Sequence, residues 1–219
     1  MPLVLERIQL VKKMRLSSKD EGARDLAATP YLFRDTRNPK SFILIPSVSS
    51  ENRYYLPMGF FGSETIASNL CHMVPGGGLY DFGILTSVMH MAWMRAVCGR
   101  LKSDYRYSSN LVYNNFPWPA EPSEAQKKKV EQAAAKVLDA RAAFPDATLA
   151  DLYDPNTMPK KLLDAHRELD SAVDACYRRP PFKTELERLE YLFGMYKELT
   201  KDLFTGEKKG RKKKVMKNS

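Results

Sequence analysis

The densest group of side chains that could do chemistry lies between Gly99 and Asn110, where basic, hydroxyl and phenol groups alternate. An Arg can bond guanine through O6 and N7 together, while Lys, Ser and Tyr side chains commonly bind phosphates. A second polar cluster occupies residues 47–54, with Ser and Asn beside one Arg and one Tyr. The two clusters favour a DNA-binding surface, and surface loops of mixed polar residues are the alternative explanation.

The candidate contacts in these clusters divide by their chemistry. Those expected to bind backbone phosphates are Ser49, Ser50, Arg53, Lys102 and Arg106. Arg100 and its neighbours are expected to contact base edges, because a bidentate guanidinium distinguishes guanine from the other bases. The remaining candidates for DNA contact are Tyr54, Ser103, Tyr105 and Tyr107.

Residues that would support catalysis form no recognisable pattern. The Gly76–Gly78 run lacks the spaced glycines, or the Lys-Ser/Thr ending, of a loop that holds a phosphate or cofactor. Residues 114–117, Asn-Asn-Phe-Pro, only partly match the Asn/Asp-Pro-Pro-aromatic clamp of an amino-methyltransferase. The histidines His72, His90 and His166 have no partners at ligand or nucleophile spacing. We therefore predict no catalytic, cofactor-binding or metal-binding residue.

The formal net charge of +9 is unevenly distributed. Residues 1–119 and the tail 207–219 carry the basic excess, whereas residues 120–206 are slightly acidic. The three cysteines are widely spaced and form no Cys-x-x-Cys pair, which indicates a reducing compartment. No apolar run reaches the roughly 18 residues of a membrane span. We expect a soluble cytoplasmic protein that binds no membrane.

Hydrophobic spacing predicts a first half that mixes strands and helices. The segments 41–45 and 53–58 are expected to pair as a hairpin across the turn-forming residues 46–52. A helix at 3–16 places Leu3, Val4, Ile8 and Val11 on one stripe. The other predicted elements are a helix at 79–97 and short strands at 68–74, 105–107 and 111–113.

The second half is predicted to be helical. The Phe-Pro-Trp-Pro run at 116–119 cannot continue a helix or sheet interior, so we place a domain boundary there. Three helices follow, at about 123–143, 159–177 and 184–203, the first with a capping box between Ser123 and Gln126. The predicted fold class is α+β: a mixed strand and helix domain at 1–119, a small antiparallel helical bundle at 120–206 and a disordered basic tail at 207–219.

Several motifs resemble one known family over residues 5–203. The motifs in the first half are Leu26–Pro30, Tyr55–Phe60, Met89–Trp93, Gly99–Ser108 and Val112–Pro119, and the second half adds Ala150–Pro155. These resemble the C-terminal part of MmeI-like type II restriction-modification DNA methyltransferases. The chain thus resembles a C-terminal fragment that comprises the target-recognition domain and the helical C-terminal domain.

The resemblance implies a parent enzyme with S-adenosylmethionine as cofactor and adenine-N6 methyltransferase activity, often joined to a nuclease. It also implies that variable side chains around Glu64–Ala67 and Cys98–Arg100 face bases. The cofactor and catalytic motifs of the family are missing from this sequence. The parent's activity therefore does not transfer to this chain, and the methyltransferase domain of the same parent chain is an expected partner.

Our leading hypothesis is a sequence-specific double-stranded DNA recognition module that is not catalytic by itself and uses no small-molecule substrate. The alternative is a helical protein-interaction module without specific DNA binding. A third hypothesis, an independent enzyme, is disfavoured because no nucleophile, metal set or cofactor loop is visible.

Overall fold

The computed structural model describes residues 1–34 and 38–205, with side chains as far as Lys201. The predicted basic tail at 207–219 lies outside these residues. The chain forms two compact units that divide between Pro39 and Lys40. Within the described residues, no helix is long and apolar enough to cross a membrane.

The first unit consists of two helices and a turn. Its elements are α1 (Pro2–Leu16), α2 (Glu21–Asp25) and a 3₁₀ turn (Leu26–Ala28). Arg15 joins them, because its guanidinium donates to the carbonyls of Leu26 at 2.8 Å, Thr29 at 3.0 Å and Leu32 at 2.6 Å. The predicted helix at 3–16 thus forms, with none of its residues buried inside this unit.

The first sheet of the second unit is built around β1 (Ser41–Pro46). β3 (Gly59–Gly62) and β4 (Cys71–Pro75) flank it, both antiparallel. The predicted hairpin between 41–45 and 53–58 is wrong, since β3 takes the place of 53–58. The segment 53–58 instead buries Tyr55, Leu56 and Met58 in the core, and its Pro57 has no N–H to give to a sheet.

A second small sheet continues from the end of β1. Its strands are β2 (Val48–Ser49), β5 (Gly99–Leu101) and β6 (Asp104–Arg106), in the order β2-β6-β5. The strand predicted at 111–113 is wrong, because Ser109–Tyr113 forms a π-helical turn. That turn brings the carbonyl of Val112 to the indole N–H of Trp93, 3.1 Å away.

The helix predicted at 79–97 is divided in two. α3 (Leu79–Leu85) and α4 (Val88–Val97) are separated at Thr86-Ser87. The hydroxyl of Ser87 donates to the Ile84 carbonyl at 2.7 Å and accepts from the N–H of His90, so it caps α4. Hydrophobic spacing alone did not show this interruption.

The second half is helical, as predicted. Its helices are α5 (Glu124–Ala142), α6 (Leu149–Leu152), α7 (Lys160–Tyr177) and α8 (Glu185–Thr205). α5 and α7 run antiparallel, since the Gln126 amide donates to the Ala175 carbonyl at 2.5 Å and Lys136 pairs with Glu168. The predicted capping box between Ser123 and Gln126 is confirmed.

The helices of both halves share one hydrophobic core. α3 packs on α5 and α7, and α4 packs on α8 through Trp93, whose ring centroid lies 5.2 Å from Phe193 and 5.6 Å from Tyr196. The α+β class, with strands in the first part and helices in the second, is confirmed. The division after Pro119 remains a prediction, because the core continues across it from Ile43 to Leu192.

Two of the histidines are neutral parts of this core. His90 bonds the Tyr107 hydroxyl at 3.1 Å, and His166 bonds the Tyr153 hydroxyl at 2.7 Å. Burial lowers the pKa of each imidazole to about 3, because a low-dielectric interior disfavours the charged form.

Gly83 in α3 tests the packing between the two halves. A Cβ at this position would lie 2.6 Å from Cγ1 of Val130 and 3.3 Å from Cδ1 of Leu169. We expect Gly83→Ala to lower the free energy of unfolding by about 1–3 kcal/mol through overpacking. Gly194→Ala is the control, since nothing lies within 4 Å there and the gain in helix propensity should stabilise α8 by up to about 1 kcal/mol. Equal effects of both variants in denaturant unfolding would contradict the tight packing.

The buried histidines also predict a pH dependence. The unfolded chain binds protons at His90 and His166 below about pH 6.5, whereas the folded chain does not until about pH 3. Their contribution to stability is therefore present above pH 6.5 and is lost as the pH falls. At pH 5 each histidine should cost about 2 kcal/mol. His90→Gln should remove about half of this loss of unfolding free energy between pH 7.5 and pH 5. If the unfolding free energy of the variant depends on pH as that of the wild type does, the prediction is refuted.

Candidate nucleic-acid interface

The small sheet brings the two predicted clusters together. Ser49 of β2 pairs with Tyr105 of β6, and Tyr105 pairs on its other side with Arg100 of β5. In the neighbouring row, Val48 and Gly99 flank Arg106. Two segments about 50 residues apart in the sequence thus form one surface.

The β5–β6 hairpin presents basic side chains on both of its faces. Side chains of directly paired residues point to the same face and successive residues alternate, so Arg100 and Arg106 project to opposite sides. Lys102 lies at the tip, in a two-residue turn between Leu101 and Asp104. We refer to residues 99–106 as the basic ribbon.

Arg100 is held in place by its neighbours. Its guanidinium carbon lies 4.2 Å from the centroid of the Tyr105 ring, and one of its nitrogens donates to the Ser103 carbonyl at 2.8 Å. Glu51 lies 3.6 Å from the same nitrogen. The Arg100 side chain remains nearly half exposed, so a fixed guanidinium with free donors faces solvent.

Three predicted contact residues are buried. Ser49, Tyr105 and Tyr107 are 4%, 6% and 3% exposed. The Tyr107 hydroxyl bonds His90, its carbonyl lies 3.3 Å from Nε2 of His72, and burial raises the pKa of its phenol. Strand alternation turns these side chains toward the core, so we revise the prediction and assign them to the support of the sheet. Ser50, Arg53, Tyr54, Arg100, Lys102, Ser103 and Arg106 retain at least partial exposure.

The loop Ser50–Tyr54 follows β2 and is fixed by Arg95 of α4. The guanidinium of Arg95 donates to the carbonyls of Arg53 at 3.4 Å and Tyr54 at 3.2 Å. It also pairs with Glu185 of α8 at 2.6 Å. Arg95 was not among the predicted residues, although a single charged side chain in an otherwise apolar helix signals a specific partner.

The two segments expected to face bases lead to the same point of the sheet. The residues after Glu64–Ala67 reach Leu70, whose carbonyl accepts from the N–H of Ser47 at 2.9 Å. The segment Cys98–Arg100 leads through the basic ribbon to Tyr107, whose N–H donates to the Ser47 carbonyl at 2.8 Å. This convergence is compatible with one reading surface, and the base contacts themselves remain a prediction.

The site offers no metal chemistry within the described part of the chain. No group of three His, Cys, Asp or Glu side chains there could hold a metal ion. What the arrangement offers is hydrogen-bond donors and positive charge on a fixed backbone.

Two family models match consecutive parts of this chain. The family model described as "MmeI, target recognition domain" matches residues 1–120, and that described as "MmeI, C-terminal domain" matches residues 122–204. The chain therefore belongs to the MmeI family, as the sequence motifs predicted.

Known proteins support this assignment. The chain is 48% identical over 200 residues to DNA methyltransferase A of Bacillus subtilis (strain 168), covering 91% of this chain and 22% of that protein. It also matches the solved structure of the Type IIL restriction-modification enzyme MmeI in complex with DNA, with a TM-score of 0.85 and 46% identity. That match covers 92% of this chain and 27% of the other. The chain thus spans about a quarter of the length of these relatives.

The backbone conformation of Lys102 at the ribbon tip predicts that two substitutions there differ in stability. Lys102 has a φ of 56°, a conformation that costs a non-glycine residue about 1–2 kcal/mol. Lys102→Gly and Lys102→Ala remove the same charge, and Lys102→Gly should be the more stable by about 1 kcal/mol. Denaturant unfolding of both variants measures the difference, and a more stable alanine variant would rule out the positive φ at the tip.

Proposed function

We propose that the chain is the sequence-specific double-stranded DNA recognition module of an S-adenosylmethionine-dependent adenine-N6 DNA methyltransferase of a restriction-modification system. The observation that carries this proposal is the basic ribbon, which presents Arg100 and Arg106 on opposite faces and Lys102 at its tip. The similar structure of MmeI was solved in complex with DNA, which supports the same partner here.

The ribbon has the shape that such a role requires. The major groove of B-DNA is about 12 Å wide and admits a two-stranded β-ribbon. Ser49 and the buried Tyr105 share one face of this sheet with Arg100. The cations that can reach a groove are therefore Arg106 on the opposite face, Lys102 at the tip and the half-exposed Arg100 on the edge strand β5.

We assign different roles to the exposed candidates. Arg100 is the base-contacting residue, because the Tyr105 ring and the Ser103 carbonyl fix its guanidinium without using all five of its N–H donors. Lys102, Ser103 and Arg106 bind phosphates along the groove. Ser50, Arg53 and Tyr54 extend this contact beyond β2.

We assign methyl transfer and cofactor binding to the remaining part of a longer parent protein. The named relative is a DNA methyltransferase of which this chain covers 22%. The methyltransferase domain of the same parent chain is the proposed protein partner. On α1, Leu3, Leu10 and Met14 are more than half exposed and offer an apolar surface for such a partner.

The proposal is tested by the binding of the 219-residue chain to a randomised duplex pool at two salt concentrations, followed by sequencing of the retained DNA. We expect binding that weakens with salt, because each neutralised phosphate releases counterion, and an enriched sequence motif. Affinity that does not change between low and moderate salt would refute it and favour the protein-interaction alternative.

Substitutions of Arg100 and of Arg106 should weaken DNA binding in different ways. Arg106→Gln should weaken binding to all duplexes and reduce the slope of log K against log salt by about 1. Arg100→Ala should cost about tenfold or more on the enriched motif and relax selection at one base pair. Lys128→Gln is the charge-matched control, because Lys128 is exposed on α5 and belongs to neither polar cluster. If all three variants bind alike, the ribbon is not the contact surface.

A further inference from the structure

A second feature beside the ribbon is a cleft between the recognition part and the helical part. It has a volume of about 410 Å³. The loop Ser50–Tyr54 forms one wall, and the turn Asp154–Asn156, which follows α6, forms the other. The cleft therefore joins a segment already assigned to DNA contact with a turn of the helical part.

Arg53 forms no ion pair with the described side chains around this cleft. The half-buried guanidinium makes one side-chain hydrogen bond, to the Ser49 hydroxyl at 3.3 Å. Among the side chains of residues 1–34 and 38–201, no carboxylate lies within ion-pair distance of it, and a guanidinium has five N–H donors. Unused donors on a cation that lines a polar cleft favour an anionic ligand, for which charge-assisted hydrogen bonds are strong.

The opposite wall provides a neutral donor beside an acid. One carboxylate oxygen of Asp154 accepts from the N–H of Asn156 at 2.8 Å, and the Asp154 carbonyl accepts from Met158 at 2.8 Å, so the turn is well defined. The exposed Asn156 side chain has no hydrogen-bond partner in the described part of the chain. Its amide can donate to a phosphate oxygen, whereas the Asp154 carboxylate would repel one.

Both walls of the cleft are anchored to the core. Arg95 holds the backbone at Arg53 and Tyr54. On the other side, Tyr153 directly precedes the turn, is 1% exposed and bonds His166. Hydrogen bonds and burial therefore constrain both walls of the cleft, and such constraint before binding reduces the entropy that binding costs.

We infer that this cleft holds one phosphate of the DNA backbone, and that the helical part thereby contacts DNA directly through Asn156. The inference rests on the proposed function. DNA is the source of the phosphate because the Ser50–Tyr54 wall continues directly from β2, which pairs with β6 of the basic ribbon. Phosphates line both sides of a groove that a ribbon enters, and contacts to them set the register of a protein on DNA.

Two variants of the 219-residue chain, with opposite charge changes, test the inference on a duplex of random sequence. Asn156→Asp replaces the donor with a like charge and should raise the Kd about tenfold, with a salt slope smaller by about 1. Asp154→Asn keeps an oxygen that can accept from the N–H of residue 156 and removes the repulsion. It should lower the Kd about threefold.

Matched controls lie on the exposed face of α5. Gln132→Glu repeats the change from amide to acid, and Glu131→Gln repeats the change from acid to amide, with both positions exposed. Each control should stay within about twofold of the wild-type Kd at moderate salt, where distant charges are screened. Thermal unfolding of every variant checks the fold, and tighter binding by Asp154→Asn cannot arise from unfolding.

The outcomes separate the two proposals. If the wild type binds with salt dependence and both cleft variants match their controls, the cleft holds no phosphate and the recognition function stands. If the wild type shows no salt-dependent binding, the recognition function fails and the inference fails with it. Opposite shifts of the Kd in the two cleft variants, absent from the controls, establish the contact.

Discussion

The carboxylate of Asp170 joins three parts of the chain that are distant in sequence. One oxygen accepts from the Tyr55 hydroxyl and the other from the N–H of Val88, each at 2.7 Å. Burial raises the pKa of this carboxyl to about 6. Near neutral pH the charge is retained inside the core, where the positive end of α4 stabilises it. Asp170 belongs to α7. The helical half therefore holds α4, which leads into the ribbon, and Tyr55, which directly follows the Ser50–Tyr54 loop.

The ribbon depends on this support because it is too small to be stable by itself. β5 and β6 contribute three residues each, and an isolated two-stranded hairpin is at best marginally stable in water. Its rigidity comes from Tyr105 and Tyr107, which are buried beneath it, and from α4. α4 in turn packs on α8 through Trp93. The helical half is therefore part of the structure that positions the residues proposed to contact DNA.

The sequence marked both polar clusters as candidate DNA contacts, but it showed neither that they adjoin nor which of their side chains are buried. Ser49, Tyr105 and Tyr107 carry groups suited to DNA contact, yet the pleat turns them inward, and side-chain type does not reveal which face a three-residue strand buries. The hairpin predicted between 41–45 and 53–58 failed for a related reason. The apolar residues Tyr55, Leu56 and Met58 suit a strand or a core segment equally, and long-range packing decided between them.

The sequence by itself determined the α+β class, the major helices, the capping box at Ser123 and membership of the MmeI family. These features depend on local hydrophobic spacing, helix caps and long sequence motifs, all of which are visible in the sequence. Only the tertiary structure decided the partners of β1, the break at Thr86-Ser87, the role of Arg95 and the cleft between Arg53 and Asn156. Each of these features depends on contacts between residues that are far apart in the sequence. Local propensity does not predict such contacts, because burial and hydrogen bonding are determined only when the core packs.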